Sequence, residues 1–248
     1  MELEDYAFGI DLSRYNTSAD GKKKVNFDEI ACSPMDVSFI AMRAGVSWGY
    51  QDPWFAYYMN EAKRINKVRL AYHVVYPGEN AAAQMDNFFR ILGNINYEEV
   101  PLVLDLELSH GCSKAKITKT SERCLEIIFD VTGMVPFIYS RTSWINEHIE
   151  VKDLPACLWW LAQYRWPRPY PLYTPEYKPP PNPLPNGVEN WAIMQTGSRC
   201  ASIGSSTYFM DYNRFNGTNE DLKALIGELP KKYIKCPVDK MTCCRILI

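Results

Sequence analysis

Four acidic side chains sit where strand-like alternation would carry them to one place: Asp105 and Glu107 in VPLVLDLELSH, Asp11 in YAFGIDLS, and Asp211 after the run TYFM. In VPLVLDLELSH the period is two, so Leu102, Leu104, Leu106 and Leu108 share one face while Val103, Asp105 and Glu107 share the other. In YAFGIDLS, Phe8 and Ile10 alternate with Gly9 and Asp11 in the same way. A carboxylate withdrawn from water is costly unless it is paired or used, and several placed together push at least one pKa upward. One carboxyl held protonated beside another held ionised is the arrangement with which a glycosidase protonates a leaving oxygen and steadies an oxocarbenium-like centre. The non-hydrolase use of such a cluster is to bind magnesium or calcium through its oxygens.

Convergence of the acids requires elements that aim them. Eight strand candidates follow one another: Tyr6 to Asp11, Val37 to Arg43, Val68 to Tyr76, Val100 to Glu107, Met134 to Ser140, Cys157 to Tyr164, Trp191 to Thr196 and Tyr208 to Asn213. Between the early ones lie amphipathic helices. Phe55, Tyr58, Met59, Ala62 and Ile65 mark one face of the first. Ala82, Met85, Phe88, Phe89 and Leu92 mark that of the second, with Gly93 as its C-cap; Ile117, Cys124, Leu125 and Ile128 mark that of the third. A short helix is expected around Trp144 to Ile149 and a last one over Thr218 to Gly227, where Thr218 and Asp221 are spaced as a capping box.

Strands alternating with helices imply a mostly parallel sheet, and eight of them suggest a barrel closed on itself. The alternation holds for five strands and then weakens, so the fold class is α/β, a TIM-like barrel whose last third has lost its helices. The leucines of VPLVLDLELSH then face the helices. The acids point inward at the C-terminal end of the strands, where such barrels build their sites.

The remaining composition narrows the function. The chain has 248 residues, 27 basic against 29 acidic, and a net charge of -2, with no basic stripe for nucleic acid. No window offers the roughly 20 apolar residues of a membrane helix, so no membrane insertion is expected. The start, MELEDYAFGIDLS, lacks the basic and apolar regions of a secretory signal. Eight cysteines, widely spaced, are expected as reduced and mostly buried thiols, and CPVDKMTCC lacks a CxxC pair or a nearby His for zinc. One catalytic barrel is expected over 1–227. A proline-rich excursion, Trp166 to Gly187, leaves it and carries Trp166, Tyr170, Tyr173 and Tyr177, reading as a stiff loop folded back on the barrel. The tail over 228–248 is too short for a domain and is a candidate for virion or self-association. His73 and His110, near the barrel mouth, have no Ser or Cys partner at a nucleophile elbow and read as structural or rim residues.

In its ordered segments FGIDLSRYN, FIAMRAGVSWGYQDPWFAYYMNEAKR, LAYHVVYPGENAAAQMDNFF, VPLVLDLE, TGMVPFIYS, LWWLAQY, WAIMQTG and YFMDYNRFNG, the chain resembles the family 25 glycoside hydrolases, the lysozymes (N-acetylmuramidases) of bacteria, fungi and bacteriophages. The resemblance runs from Phe8 to Gly217 and implies a flattened (β/α)5(β)3 barrel, a peptidoglycan substrate, and no metal or other cofactor. It implies that Glu107 is the general acid/base and Asp105 its partner, either orienting the 2-acetamido group of the sugar or assisting the acid directly. Asp11 and Asp211 match the other two acids of the groove. Tyr72, Tyr139, Gln163 and Gln195 match substrate-binding positions. Two departures miss the acids: YHV stands where YHF is usual, and Arg43 where Lys is common. With no secretion signal or wall-binding repeat, a phage lysin held in the host cytoplasm until lysis, or carried on the virion, is expected.

Overall fold

The computed structural model describes residues 2–164, 176, 178–199, 203–205 and 209–228. Strands β1 (Phe8–Leu12), β2 (Val37–Val46), β3 (Tyr50–Gln51), β4 (Val68–Val74), β5 (Leu102–Asp105), β6 (Phe137–Arg141), β7 (Leu158–Ala162), β8 (Ile193–Arg199) and β9 (Met210–Phe215) form one sheet. Eight of them close into a barrel in the order β1-β2-β4-β5-β6-β7-β8-β9, with β9 pairing back onto β1. The ninth, β3, is a two-residue antiparallel strand on the end of β2 that the sequence reading missed.

Helices α1 (Phe27–Ala31), α2 (Phe55–Arg64), α3 (Ala81–Leu92), α4 (Lys114–Thr132) and α5 (Thr142–His148) cover the first five barrel strands, and α6 (Asn219–Glu228) follows the last. Among the described residues no helix lies between β7 and β9, as expected, and the architecture is (β/α)5(β)3. The short α1 was not anticipated, since five residues give too little periodicity to read. Ala82 proves exposed; Gln84, beside Met85 and Phe88, takes the buried position and bonds the backbone N–H and C=O of Tyr76 at 2.8 and 2.9 Å.

Alternation along each strand sorts the core into two bodies. Outward residues such as Ile10, Met42, Leu102, Leu104 and Ile138 pack with Tyr58, Met85, Phe88, Ile117 and Ile128 of the helices. Inward residues, among them Phe39, Leu70, Val103, Phe137, Trp160, Ile193 and Phe215, fill the barrel, and Leu222 of α6 joins them. Gly9 is required by this filling, because a Cβ there would lie 2.3 Å from the Phe39 ring.

Where helices are missing, side-chain chemistry covers the wall. Glu176, from the proline-rich excursion, accepts from Arg214 Nε at 2.9 Å and Nη2 at 2.6 Å, and from the Thr196 hydroxyl at 2.9 Å. Arg214 also donates to the Tyr6 carbonyl at 3.1 Å and lies over the Phe8 ring. A bidentate pair this deeply buried is costly to break from either side. Of that excursion, Trp166, Tyr170, Tyr173 and Tyr177 lie outside the described residues, as does the tail from 229. Of the four described cysteines, Cys124 is buried, Cys112 and Cys157 are half-buried and Cys32 is exposed, while Cys200, Cys236, Cys243 and Cys244 lie outside the described residues. No helix among the described residues is long and apolar enough to cross a membrane.

His73 belongs to the outer layer of the wall, not to the mouth. Its ring stacks on Phe88 of α3 at 4.9 Å and Nε2–H donates to the Ser47 carbonyl at 2.8 Å, which leaves Nδ1 buried with no hydrogen-bond partner among the described residues. Burial lowers its pKa from 6.5 to about 4. As pH falls below 6.5 the unfolded chain takes up the proton first, so stability drops by up to about 1.4 kcal/mol per pH unit until pH nears 4. His73→Phe therefore flattens the fall in melting temperature between pH 7 and pH 5, and an unchanged slope would exclude His73 as its source. In a second test, Gly9→Ala drives a methyl into Phe39 and costs about 1–3 kcal/mol in denaturant unfolding, without altering side chains at the mouth.

Candidate active site

The acid pair is placed by β5 and its neighbours. Asp105 is the last residue of the strand, and the chain beyond it is pinned. Val75 N–H donates to the Asp105 carbonyl at 3.0 Å and Leu106 N–H to the Tyr139 carbonyl at 2.9 Å, while the Ser140 hydroxyl donates to the Leu106 carbonyl at 2.5 Å. Glu107 therefore lies just past the strand, which the sequence reading had extended to include it. Leu106 continues the outward face, and Val103 lies inside the barrel. Asp105 is only 7 % exposed, whereas Glu107 is half-buried.

Asp11 is held by two amides. Its Oδ2 accepts from Gln195 Nε2 and from Asn213 Nδ2, both at 2.8 Å. Each amide is itself held, since Gln195 Oε1 accepts from the hydroxyls of Tyr139 (2.7 Å) and Tyr164, and Asn213 Oδ1 accepts from Trp160 Nε1–H at 2.9 Å. The cluster thus joins residues from β1, β6, β7, β8 and β9.

Asp211 reaches the mouth by a route the sequence reading did not foresee. It sits at the start of β9, not past the end of a parallel strand, and β9 runs antiparallel to both β1 and β8. A reversed strand brings its N-terminal end to the mouth, so Asp211 pairs directly with Asp11 in register. Side chains so paired share a face at about 5 Å, and like charges there repel.

The electrostatics match this crowding. The Asp105 carboxyl is held well above its ordinary range, by burial first, then by Glu107 and Asp11, with Arg43 opposing. Its Oδ1 is buried without a hydrogen-bond partner among the described residues. Burial also raises the hydroxyls of Tyr72 and Tyr139; Asp11 adds most to the first, and Tyr164, then Glu107, to the second. These mutual influences bring Asp11, Asp105, Glu107, Tyr72, Tyr139 and Gln195 into one site.

Arg43 is a basic group that acts on the acids. It projects inward from β2 beside Tyr72 in register and binds the buried Asp52 at 2.9 Å. Gln163 turns elsewhere: its amide donates to the Asn182 carbonyl at 2.7 Å and accepts from the Asn182 N–H at 2.9 Å, clasping the loop. Sequence reasoning missed Asn213 and Trp160, although Asn213 follows Asp211 by two residues and so shares its face, a signal available in YFMDYNRFNG. Tyr164 carried no comparable sign.

A cleft of about 1270 Å³ is lined by residues including Tyr6, Met35, Asp36, Arg199 and Asn219; none of the four acids lines it. Among the described residues no group of three His, Cys, Asp or Glu side chains is arranged to hold a metal ion.

The geometry can be set beside known proteins. A family model described as "Glycosyl hydrolases family 25" matches residues 10–198. The chain is similar to the uncharacterized protein YegX of Escherichia coli K12, 24% identical over 220 residues, which are 88% of this chain and 72% of that protein. In fold it is similar to a bacterial lysozyme from Streptomyces coelicolor, with a TM-score of 0.72 and 22% identity over 90% of this chain and 97% of the other. A muramidase from Trichobolus zukalii gives a TM-score of 0.70 at 23% identity, covering 89% and 99%. At these identities the structures speak for the fold.

The charge arrangement is testable by carbon-13 carboxyl titration of the folded protein. Asp105 titrates well above the usual carboxylate midpoint near 4. Glu107→Gln, which removes the like charge, brings that midpoint down, and Arg43→Met, which removes the cation, raises it further. An ordinary Asp105 midpoint in the wild-type protein would contradict the burial argument.

Proposed function

Because the chain belongs to glycosyl hydrolase family 25 and is a glycoside hydrolase, we propose that it is a muramidase. It hydrolyses the β-1,4 bond between N-acetylmuramic acid and N-acetylglucosamine in peptidoglycan, with retention of configuration. The observation that carries this reading is the acid pair at the mouth of a closed barrel: buried Asp105, raised by that burial and then by half-buried Glu107, with no hydrogen-bond partner at Oδ1 among the described residues. The lysozyme and muramidase structures of the same fold support the substrate class.

In this mechanism Asp105 and Glu107 share one proton, as coupled carboxyls do. The sugar's 2-acetamido N–H donates to Asp105 Oδ1, which favours the ionised form of Asp105 and leaves the proton on Glu107. Glu107 passes that proton to the glycosidic oxygen as the bond to C1 breaks. The acetamido carbonyl oxygen closes on C1 from the opposite face, and Asp105 supports the positive charge that develops on the ring. Glu107, now ionised, takes a proton from water, whose oxygen attacks C1 and reopens the ring to give the retained product. Asp11 and Asp211 add negative potential beside the oxocarbenium-like centre. Tyr72 and Tyr139 line the sugar site, with Gln195 bridging Tyr139 to Asp11. The chemistry needs only proton transfer and the substrate's own amide.

Glu107→Gln keeps the shape and removes the proton. Clearing of purified cell walls should fall by about 10²–10⁴-fold while the thermal transition stays intact. Digested peptidoglycan should carry muramic acid at its new reducing ends; glucosamine there, or full activity in the Gln variant, would overturn the assignment.

A further inference from the structure

The acids of the mouth have a positively charged neighbour. Arg14 opens the turn that follows β1, three residues past Asp11, and its backbone N–H donates to Asp52 Oδ2 at 2.9 Å. The same oxygen accepts from Arg43 Nε at 2.9 Å, and Asp52 Oδ1 accepts from the Trp54 N–H at 3.0 Å. The Asp52 side chain is fully buried, so its charge is spent on Arg43 and two backbone groups. The Arg14 guanidinium, by contrast, has no carboxylate within ion-pair distance among the described residues.

That guanidinium is held in place without being neutralised. It lies 4.8 Å from the centre of the Tyr15 ring and 5.7 Å from that of Tyr50, and donates to the Tyr15 hydroxyl at 3.2 Å. Arg43 lies over the same two rings, at 5.2 and 5.8 Å. Two guanidiniums therefore share two tyrosines while only Arg43 holds a carboxylate, leaving one net positive charge at the rim of an otherwise acidic mouth. Two like charges so close repel, and a bound anion would relieve them; an arginine fork suits a carboxylate, which it can grip with two parallel bonds. Arg14 and Tyr15 are exposed, so the position is open to a ligand.

We propose that Arg14, steadied by Tyr15 and Tyr50 and backed by Arg43, is a subsite for a carboxylate borne by the muramic acid residue of the glycan. This rests on the muramidase reading. A neutral polymer of N-acetylglucosamine offers this subsite nothing. A muramic acid glycan offers the lactyl carboxylate or, where that is amidated by a stem peptide, the carboxylates of the peptide. The acidic groove would otherwise repel such an anionic polymer, and the guanidinium gives it a fixed point from which the cleaved bond is registered against Glu107.

The test uses the full-length protein and three substrates: peptide-bearing glycan, glycan stripped of peptides by an amidase so that only lactyl carboxylates remain, and glycan whose carboxylates have been neutralised by carbodiimide coupling to methylamine. Arg14→Gln should raise KM about tenfold on a charged substrate, the scale of one charge-assisted contact, with kcat changed less than twofold. On the neutralised glycan the variant and the wild type should match, and the wild type should show there the weakened KM that the variant shows on charged glycan. A KM effect on stripped glycan assigns the lactyl carboxylate; an effect confined to peptide-bearing glycan assigns the stem peptide; either supports the subsite. Arg14→Lys, which keeps the charge and loses the fork, should fall between. An equal KM rise on neutralised glycan, or none on any substrate, overturns the subsite while leaving the muramidase reading standing. A wild-type protein that releases no muramic acid reducing ends from any of the three overturns both.

Discussion

The structure depends on a withdrawal from water: Asp105 ends a strand whose inner face is otherwise apolar, above a barrel filled by Phe39, Leu70, Val103, Phe137 and Trp160. Packed side chains below the acid leave no room for solvent to stabilise its charge from that side. A carboxylate in such a place must be neutral, paired or waiting for a partner. Much of the mouth can be understood as the management of that cost. Arg43 offsets part of it, Gln195 and Asn213 occupy the Asp11 oxygen nearest them, and the two tyrosines close the walls with hydroxyls that stay protonated.

The same constraint explains why the barrel is regular where it is and irregular elsewhere. The first five strands need helices to bury their outer leucines, isoleucines and valines, and that shell holds the inner face steady. On the last three strands, among the described residues, a buried ion pair, Glu176 with Arg214, packs on the wall. Hydrogen bonds and charge there replace the apolar contacts of a helix. Reversal of β9 is part of this change of plan, because a strand returning directly from β8 needs no crossover helix at all.

How much of this could be read from the chain depends on the range of the signal. Alternation is local, so the eight barrel strands, their inner and outer faces, and the acids of the mouth were legible from short windows such as VPLVLDLE. The capping box at Thr218 and Asp221 was equally local. Direction was not: nothing in TYFMD says that the strand runs antiparallel, because alternation is the same read either way. Nor could alternation show that Gln163 would turn to Asn182, that Trp160 would hold Asn213, or that Arg14 and Arg43 would meet over two rings. Those outcomes are set by partners far away in sequence, and a two-residue strand such as β3 is too short to carry any period.

The amides that hold Asp11 lie 184 and 202 residues further along the chain. That separation sets a clock on synthesis. A ribosome must have made nearly the whole barrel before the first acid of the site finds its holders, so the nascent chain passes most of its elongation with a complete Asp105–Glu107 segment and an incomplete mouth. Until β9 zips between β1 and β8, both of those strands present unpaired edges, the surfaces through which sheets join other sheets. The final strand thus joins two events, the closing of a vulnerable seam and the completion of the site, and a chain cut short before it would have neither.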